Sequence, residues 1–275
     1  MASEETPLAG VPDPASPATL ITRWEDDGRI LVVTLNRPDR LNAFDARMMR
    51  ELSALWDTVA GTPGVRCVVV TGAGKGFCAG ADASMLESTR TRYGATSKEE
   101  LAFLPRHRVE VPVVVAVNGV CAGGGLHFVA EGDIVIAGES ASFLDPHVTM
   151  GQVTALEPVM LALRARFDVI TRMALLGRSE RLDAAAAQEA GLVSEVVPDG
   201  TLLDRALELA RAIAANSPAA VRRSRKALVD LEETLLRAVM DRGWDSIRAH
   251  WAHPDATEGP AAFLEGRSPV WSSAS

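Results

Sequence analysis

Apolar runs separated by polar turns fill the first half of the chain. Continuous apolar stretches at residues 30–35, 67–71, 113–117 and 134–137 predict strands. Between the first two, apolar side chains at helical spacing predict a helix from about residue 45 to residue 58, with Asp45 as its N-terminal cap. Strands that alternate with helices indicate an α/β architecture with a ligand at the strand ends.

Helical periodicity dominates from residue 154 onward, apart from a strand-like segment at residues 194–198. The predicted helices cover residues 159–163, 171–176, 183–189, 202–216 and 218–247. The last of them carries apolar positions along its length, namely Leu228, Leu231, Leu235, Val239 and Trp244. These positions predict packing either against a neighbouring subunit or within the core of the same chain.

Composition and charge narrow the class of protein. The net charge of −8 argues against nucleic acid as a partner. The chain has no apolar run of about 18 residues that predicts a membrane span, and no secretory signal is recognised, so a cytoplasmic protein is expected. Cys67, Cys78 and Cys121 lack metal-ligand spacing and are interpreted as free thiols in a reducing compartment. Residues 1–18, rich in Pro, Ala and Ser, are expected to form a disordered tail.

Two glycine-rich loops each follow a predicted strand and lead to a helix start. One spans residues 72–82, and the other follows the strand at 113–117 and contains three consecutive glycines at 123–125. A strand, a glycine turn and a helix N-terminus together present free backbone N–H groups to a negative ligand. A phosphate or a developing oxyanion suits this arrangement. The first ionisable side chain after the second loop is His127, which is expected at the reacting atoms.

An ordered set of short motifs indicates the family. In sequence order they are Leu35-Asn-Arg-Pro38, Leu41-Asn-Ala-Phe44, Gly76-Phe-Cys-Ala-Gly-Ala-Asp82, Ala116-Val-Asn-Gly119, Ala122-Gly-Gly-Gly125, Asp133-Ile-Val-Ile-Ala137, Ser142-Phe143, Leu176-Gly-Arg, Ala190-Gly-Leu-Val193 and Ala262-Phe-Leu-Glu-Gly-Arg267. A single glycine-rich motif is common, but the ordered set, which covers roughly residues 22–271, is specific. On these residues the chain resembles the crotonase superfamily, the enoyl-CoA hydratase/isomerase-like proteins.

The resemblance implies an α/β fold, a crotonase (ClpP-like) spiral of ββα units. Residues 1–18 are then the tail, residues 19–200 the spiral core, and residues 201–275 a helical oligomerisation region that assembles a homotrimer or hexamer. It also implies an acyl-CoA substrate of fatty acid metabolism, with coenzyme A as part of the substrate and no separate cofactor. Neither nucleic acid nor a membrane is expected as a partner.

Stabilisation of a thioester enolate by two backbone N–H groups is the chemistry that the family shares. By resemblance these groups belong to Ala81 and to Gly124, the middle glycine of the triplet. Both lie on loops that feed helices, where N–H groups have no helical partner and the helix dipole favours negative charge. The alternative is that the glycines serve only the close packing of helix on strand.

The resemblance also suggests the substrate contacts. Coenzyme A is expected along the loop at residues 77–82, with Arg37 and Lys75 as cations for its phosphates. The full set of candidates for substrate binding is Arg37, Lys75, Phe77, Ala79, Gly80, Asp82, Gly123 and Arg267. The acyl pocket is expected to be lined by Met85, Leu86, Tyr93, Phe143 and Val148.

Two positions depart from the pattern of the family's hydratases. In those enzymes two glutamates hold the water and exchange its protons, and the matching positions here are His127 and His147. Glu131 follows His127 by one helical turn and is not expected to reach the same spot. Hydration by a pair of carboxylates therefore does not carry over directly.

Two histidines at these positions predict an acid/base pair, because imidazole accepts and returns a proton near neutral pH. His127 is expected in the first turn of a helix, whose dipole disfavours imidazolium and keeps a neutral base. Asp145 is expected either to orient the ring of His147 or to cap the segment that follows, and Glu157 is a candidate acidic helper. No metal site is expected, although Asp145 is a conceivable third ligand. The remaining histidines, His107, His250 and His253, are assigned to the surface or to subunit contacts.

Three hypotheses follow. The first is an acyl-CoA enzyme that adds or removes water with His127 and His147, a hydratase-like lyase. The second is a C–C hydrolase that cleaves a β-dicarbonyl compound by a retro-Claisen step, with or without coenzyme A. The third is a non-catalytic member of the family that binds acyl-CoA.

Overall fold

Strands and helices alternate along the chain in the computed structural model, which describes residues 18–82, 85, 103–106 and 108–273. The strands are β1 (Leu20–Glu25), β2 (Ile30–Leu35), β3 (Cys67–Gly72), β4 (Gly76–Cys78), β5 (Val113–Val117), β6 (Val120–Ala122), β7 (Ile134–Gly138), β8 (Ser142–Leu144), β9 (Leu182–Asp183) and β10 (Glu195–Val197). The α-helices are α1 (Ala46–Ala60), α2 (Leu126–Glu131), α3 (Glu157–Leu161), α4 (Phe167–Leu176), α5 (Ala184–Glu189), α6 (Leu202–Ala214), α7 (Pro218–His250) and α8 (Asp255–Glu265). Residues 1–17 of the expected tail and the candidates Leu86, Tyr93 and His107 lie outside the described residues.

Two sheets share the strands. The larger sheet has the order β1-β2-β3-β5-β7-β10 and the smaller has the order β4-β6-β8-β9. β3, β5 and β7 lie in the larger sheet, and the strand that follows each of them, β4, β6 or β8, lies in the smaller. This alternation winds the chain into a spiral. Because β4 and β6 are parallel neighbours, the two glycine loops that follow them emerge side by side.

The long strands are buried on both faces, which explains their uninterrupted apolar sequences. In β2, Leu31 and Val33 belong to the core that contains Met48 and Leu52 of α1. The alternate residues of the same strand pack in a second core, formed with α6. The strand period of two therefore divides each strand between two apolar layers.

The predicted long elements and the short strand β10 are confirmed, with shifted ends, whereas β1 and several short strands were not predicted. The helix expected from residue 45 is α1, and its cap is confirmed because Asp45 Oδ1 accepts a hydrogen bond from the Met48 N–H at 2.8 Å. α4 begins at Phe167 rather than residue 171. β4, β6 and β8 have three residues each, too few to show a period in sequence. α8 was missed as well, since it holds Pro260, a residue that normally interrupts helices.

The long helix α7 has two different environments along its length. Leu228, Leu231 and Leu235 are more than half exposed on the isolated chain. Trp244, nearer the C-terminal end, is only 8% exposed and packs edge-to-face on Trp251 at 5.7 Å between ring centroids. The apolar positions of this helix therefore split between packing within the chain and an apolar stripe that the described residues leave more than half exposed.

Candidate active site

A cavity of about 280 Å³ opens where the two glycine loops face the C-terminal helices. Ala79, Gly80, Ala81, Gly123 and Gly124 line it from the loops. His127, His147 and Glu157 line it with ionisable side chains. The cavity thus brings together backbone amides and acid/base groups that are far apart in the sequence.

The two glycine loops touch each other at the cavity. Gly80 has a φ of +92°, and a Cβ atom there would lie 2.9 Å from the carbonyl oxygen of Ala122 and 3.5 Å from the amide nitrogen of Gly124. Gly123 has a φ of +50°, also in the left-handed region. Only glycine combines these backbone angles with this close approach, so the glycines hold Gly124 beside the first loop.

The amides of Ala81 and Gly124 are both at the cavity wall. Ala81 forms a parallel bridge with Phe44, and that bridge uses the N–H groups of Phe44 and Asp82, which leaves the Ala81 N–H out of the pairing. Gly124 lies in the helical turn Gly123–Gly125, where N–H groups lack a helical acceptor. Both residues therefore bring a backbone N–H that lies outside regular pairing to the cavity wall.

His127 is held from behind by a carboxylate. It lies on α2, where its Nδ1 is 2.8 Å from Glu131 Oε1, and Glu131 Oε2 in turn accepts a hydrogen bond from the Leu104 N–H at 2.6 Å. The ring of Phe103 stacks on the imidazole at 5.1 Å between centroids. Glu131 does not line the cavity, as expected, but it contacts His127 directly, a role that the sequence analysis did not assign.

His147 is held by a second carboxylate. Its Nδ1 lies 2.6 Å from Asp145 Oδ1, and the Thr154 hydroxyl donates to Asp145 Oδ2 at 2.5 Å. Asp145 Oδ1 also accepts from the backbone N–H of His147 at 3.1 Å. Both roles considered for Asp145 are therefore present, since it orients the ring and caps the turn. The His147 side chain is 27% exposed, against 6% for His127.

Glu157 lies between the two imidazoles at the start of α3. Its Oε1 is 3.5 Å from His127 Nε2 and 3.9 Å from His147 Nε2. Each imidazole thus contacts its own carboxylate, Glu131 or Asp145, through Nδ1, and both Nε2 atoms face Glu157. The sequence suggested Glu157 only as a helper, because nothing in its spacing shows that it faces both rings.

Neighbouring carboxylates control the protonation of the two histidines. Burial lowers the pKa of His127, but the charges of Glu157 and Glu131 outweigh it and raise the pKa above its ordinary value. Burial also opposes the charged form of His147, yet Glu157 and Asp145 raise its pKa to about 9. This direction is opposite to the one expected from the helix dipole, because full negative charges at close range outweigh a dipole.

The pKa of the Asp145 carboxyl group is also set by its neighbours, but it is lowered rather than raised. Burial raises the pKa of Asp145, but the charge of His147 and hydrogen bonds from His147 and Thr154 reverse that effect and lower it. Asp145 and His147 therefore form an ion pair with its positive end at the cavity.

Arg37 is occupied by other protein groups. Its Nη2 lies 3.3 Å from Asp45 Oδ2 and 3.0 Å from Asp82 Oδ2, and Nη1 donates to the Ala43 carbonyl. This cluster ties the first glycine loop to the start of α1. The candidate phosphate cation Arg37 and the candidate contact Asp82 neutralise each other, so the structure assigns them a loop-fixing contact rather than a free charge.

Other sequence candidates lie away from the cavity. Phe77 is fully buried, and its ring packs edge-to-face on Phe128 at 5.5 Å. Phe143 is also buried in the core rather than at the acyl pocket, whereas Met85 lines the cavity as expected. Lys75 is exposed. Arg267 is partly exposed and pairs with Glu258 at 2.9 Å, and neither Arg267 nor Val148 is among the described lining residues.

The C-terminal helices supply a wall that sequence reasoning missed. The residues concerned are Trp244, Ile247, Trp251, Ala256 and Phe263. Arg178 also reaches the cavity and lies over the Phe263 ring at 4.9 Å. No local pattern distinguishes such residues from ordinary packing positions, because their approach to the glycine loops depends on the tertiary fold.

His250 and His253 have defined contacts near this wall. The His250 Nε2 lies 2.8 Å from the Gly151 carbonyl oxygen, and the two rings stack at 5.2 Å between centroids. The pair therefore attaches the end of α7 to the turn that follows His147, rather than lying free on the surface.

The three cysteines are free thiols, as predicted. Cys67, Cys78 and Cys121 are free and buried, and burial raises the pKa of the first two thiols to about 12. Within the described ranges, no group of three His, Cys, Asp or Glu side chains could hold a metal ion. None of the helices in the same ranges is long and apolar enough to cross a membrane.

Known proteins match nearly the whole chain. The family model described as Enoyl-CoA hydratase/isomerase matches residues 25–274. Enoyl-CoA hydratase EchA19 of Mycobacterium tuberculosis is 35% identical over 257 residues, which covers 89% of this chain and 94% of the relative. The 1,2-epoxyphenylacetyl-CoA isomerase of Escherichia coli is 36% identical over 256 residues, which covers 87% of this chain and 94% of the relative.

Solved structures agree with the sequence matches. EchA1_1 from Mycobacterium paratuberculosis has a TM-score of 0.82 at 35% identity and covers 93% of this chain and 99% of its own. The carnitinyl-CoA hydratase from Mycobacterium avium has a TM-score of 0.82 at 32% identity, with the same coverage. The fold is therefore the predicted α/β crotonase spiral with a C-terminal helical region. The chain belongs to the enoyl-CoA hydratase/isomerase family, and the predicted superfamily is confirmed.

Proposed function

We propose that this protein is an acyl-CoA enzyme that adds water to an enoyl thioester, or removes it from the corresponding hydroxyacyl thioester. The observation that carries this proposal is the cavity itself. The amides of Ala81 and Gly124 share it with His127, His147 and Glu157. The cavity can therefore stabilise an enolate oxygen and transfer a proton at the same place.

The two amides act on the thioester oxygen. When water adds to the β-carbon, the double-bond electrons move toward the carbonyl and leave negative charge on its oxygen. Donors fixed in advance stabilise that charge without reorganising, which is usually the largest single contribution in such reactions. The glycine conformations at Gly80 and Gly123 hold these donors before substrate arrives.

His147 supplies the proton in this proposal. Its imidazolium form is favoured at neutral pH, its Nδ1 is fixed by Asp145, and its side chain is more exposed to the cavity than that of His127. His127 is more deeply buried, and the neighbouring carboxylates raise its pKa and so favour its imidazolium form beside Glu157. This assigns the two histidines different tasks, donor for His147 and fixed charge for His127.

Incubation with crotonyl-CoA tests the proposal directly. We expect loss of the enoyl absorbance and formation of a 3-hydroxyacyl-CoA, with the reverse reaction from the hydroxyacyl thioester. Branched and ring-bearing enoyl-CoA substrates extend the test to other acyl groups. Tight acyl-CoA binding with no turnover of any of them would contradict the hydratase proposal and favour the non-catalytic acyl-CoA-binding alternative.

A second candidate, retro-Claisen C–C cleavage, is favoured by the Asp145–His147 pair. The Thr154–Asp145–His147 chain resembles the arrangements that orient a histidine for work on water. Water would attack a ketone carbon of a β-dicarbonyl compound, and the amides would stabilise the departing enolate. A new carboxylic acid formed from a cyclic β-diketone, with crotonyl-CoA left unchanged, would favour this candidate over the first.

We further propose a homotrimer or hexamer, formed through the apolar stripe of α7. Leu228, Leu231 and Leu235 lie on one helix face and are 53–63% exposed on the isolated chain. Light scattering is expected to give a mass of three or six chains, and Leu231→Glu is expected to shift it toward the monomer because a charge would be buried at the contact. A change at an exposed charged position of the same helix, Lys226→Glu, is expected to leave the assembly intact. A monomeric wild-type protein would contradict the proposal.

A further inference from the structure

Glu157 is placed to act on substrate rather than only to support the histidines. It lines the cavity, and its side chain is 8% exposed. The separations of 3.5 Å and 3.9 Å from the two Nε2 atoms are longer than a good hydrogen bond. Its carboxylate is therefore drawn toward two rings without being tightly bound to either.

The charges around Glu157 favour this role. The groups that face it are His127 and His147, and behind them stand Glu131 and Asp145. Each of those outer carboxylates already contacts one imidazole through Nδ1. Glu157 is the third carboxylate beside the two rings, and it is the one that lines the cavity.

We propose that Glu157 is the general base of this site and that His147 is the matching acid. The inference rests on the proposed water addition and deepens it by assigning both proton transfers. A base must lie within reach of the proton that it abstracts, directly or through one water, and Glu157 meets that condition at the cavity wall. His127 then acts as a positioning residue that holds the carboxylate beside the acid.

The proton transfers balance among Glu157, His147 and the reacting water. Glu157 takes a proton from water as the oxygen bonds to the β-carbon, and the electron pair of the double bond moves to the enolate. His147 then gives its Nε2 proton to the α-carbon, which completes the addition of one water. The carboxylic acid of Glu157 returns its proton to the neutral ring of His147, from which it is separated by only 3.9 Å. The site thereby regains its starting protonation.

Glu157→Gln is the decisive variant. It keeps the shape of the side chain and removes the base, so we expect turnover of crotonyl-CoA to fall by about 10²–10⁴-fold. Binding of crotonyl-CoA, measured by calorimetry, is expected to change less than tenfold. Glu139→Gln removes an exposed carboxylate outside the site and is expected to behave like the wild type. Turnover by Glu157→Gln within tenfold of the wild type would overturn the assignment.

A second variant and a second reaction keep the test decisive. Glu157→Asp keeps the carboxylate but moves it away from the cavity, because the side chain is one methylene shorter. We therefore expect turnover between those of the wild type and the glutamine variant. Equal loss in both variants, with unchanged melting temperatures, supports a strict distance requirement, whereas full activity of Glu157→Gln overturns the role.

Exchange of the α-protons of butyryl-CoA in D₂O, followed by NMR, needs proton transfer but no water addition. In the proposed scheme His147 exchanges the α-proton and Glu157 acts on water, so Glu157→Gln is expected to keep the exchange while it loses hydration, and loss of exchange in Glu157→Gln would overturn the assignment. If the wild type exchanges these protons without hydrating crotonyl-CoA, the water-addition proposal fails while His147 remains the group that transfers the α-proton. If the wild type does neither, both proposals are overturned.

Discussion

Replacing His147 with glutamine is expected to lower kcat for crotonyl-CoA by about 10²–10⁴-fold, the usual contribution of a positioned acid. Glutamine fills a similar volume but cannot give a proton from a charged form. The His147 side chain is partly exposed to the cavity, so a His147→Gly variant should regain part of its activity when imidazole is added. Steady-state kinetics with and without imidazole measure both effects. Wild-type turnover by His147→Gln would contradict the acid role.

The same residue predicts the pH profile. The carboxylates of Glu157 and Asp145 raise the pKa of His147 to about 9, so the imidazolium persists at neutral pH and is lost as the pH rises through that value. An acid at this position predicts activity that declines on the alkaline side of about pH 9. A neutral base at this position predicts the reverse, with activity that increases through the same range. The profile of kcat against pH therefore distinguishes the two roles.

Asp145→Asn supplies the matched change in charge. The asparagine keeps the side-chain shape, but the negative charge that helps to raise the pKa of His147 is gone, so the alkaline limb is expected to move to lower pH. A structural role alone would lower activity at every pH without moving the limb. An unmoved limb would contradict the contribution of Asp145 to the protonation of His147.

The sequence predicted much of the fold because the long elements are locally consistent. The strands at 30–35 and 113–117 are apolar throughout since two layers cover them, and α1 has both its period and its cap in the sequence. Three-residue strands and a helix that contains Pro260 have no such signal. They form because their neighbours complete the smaller sheet and cover the cavity.

The candidate site was predictable in its type and less so in its electrostatics. His127, His147 and the glycine loops stand at motif positions, and Asp145 is only two residues from the ring that it orients. Glu157 was harder to assign, because its approach to both rings depends on the turn between β8 and α3. The pKa of His127 was hard to predict for the same reason. The sequence shows the local helix dipole but not the two carboxylates that the fold brings beside the ring.

The site therefore still contains ionisable side chains, but of other types and at other positions than in the family's hydratases. The two glutamates of the family's hydratases are replaced by imidazoles, and three carboxylates, Glu131, Asp145 and Glu157, surround the rings instead. All three raise the pKa of at least one ring, and Glu157 raises both and also lines the cavity. In the proposed mechanism, proton transfer between a carboxylate and an imidazolium replaces proton transfer between two carboxyl groups.

Replacing Ala81 with proline is expected to lower kcat by about 10²–10³-fold, the typical cost of losing one donor to an oxyanion. Proline removes the backbone N–H at this position, and the bridge to Phe44 does not use that N–H, so the loop loses no hydrogen bond of its own. Ala81→Ser keeps the N–H with a small change of side chain and is the matched control. The melting temperature of each variant checks the fold.

The division of the effect between kcat and binding identifies the donor. An N–H that acts mainly on the enolate contributes little to the ground-state complex, so the Kd for crotonyl-CoA should change far less than kcat in Ala81→Pro. Parallel loss of both would indicate a damaged loop, and activity equal to that of Ala81→Ser would show that the Ala81 amide does not contact the oxyanion. Because Gly124 would still donate, a residual rate above that of the uncatalysed reaction is expected in the proline variant, and its loss on combination with Glu157→Gln would place donor and base in the same reaction.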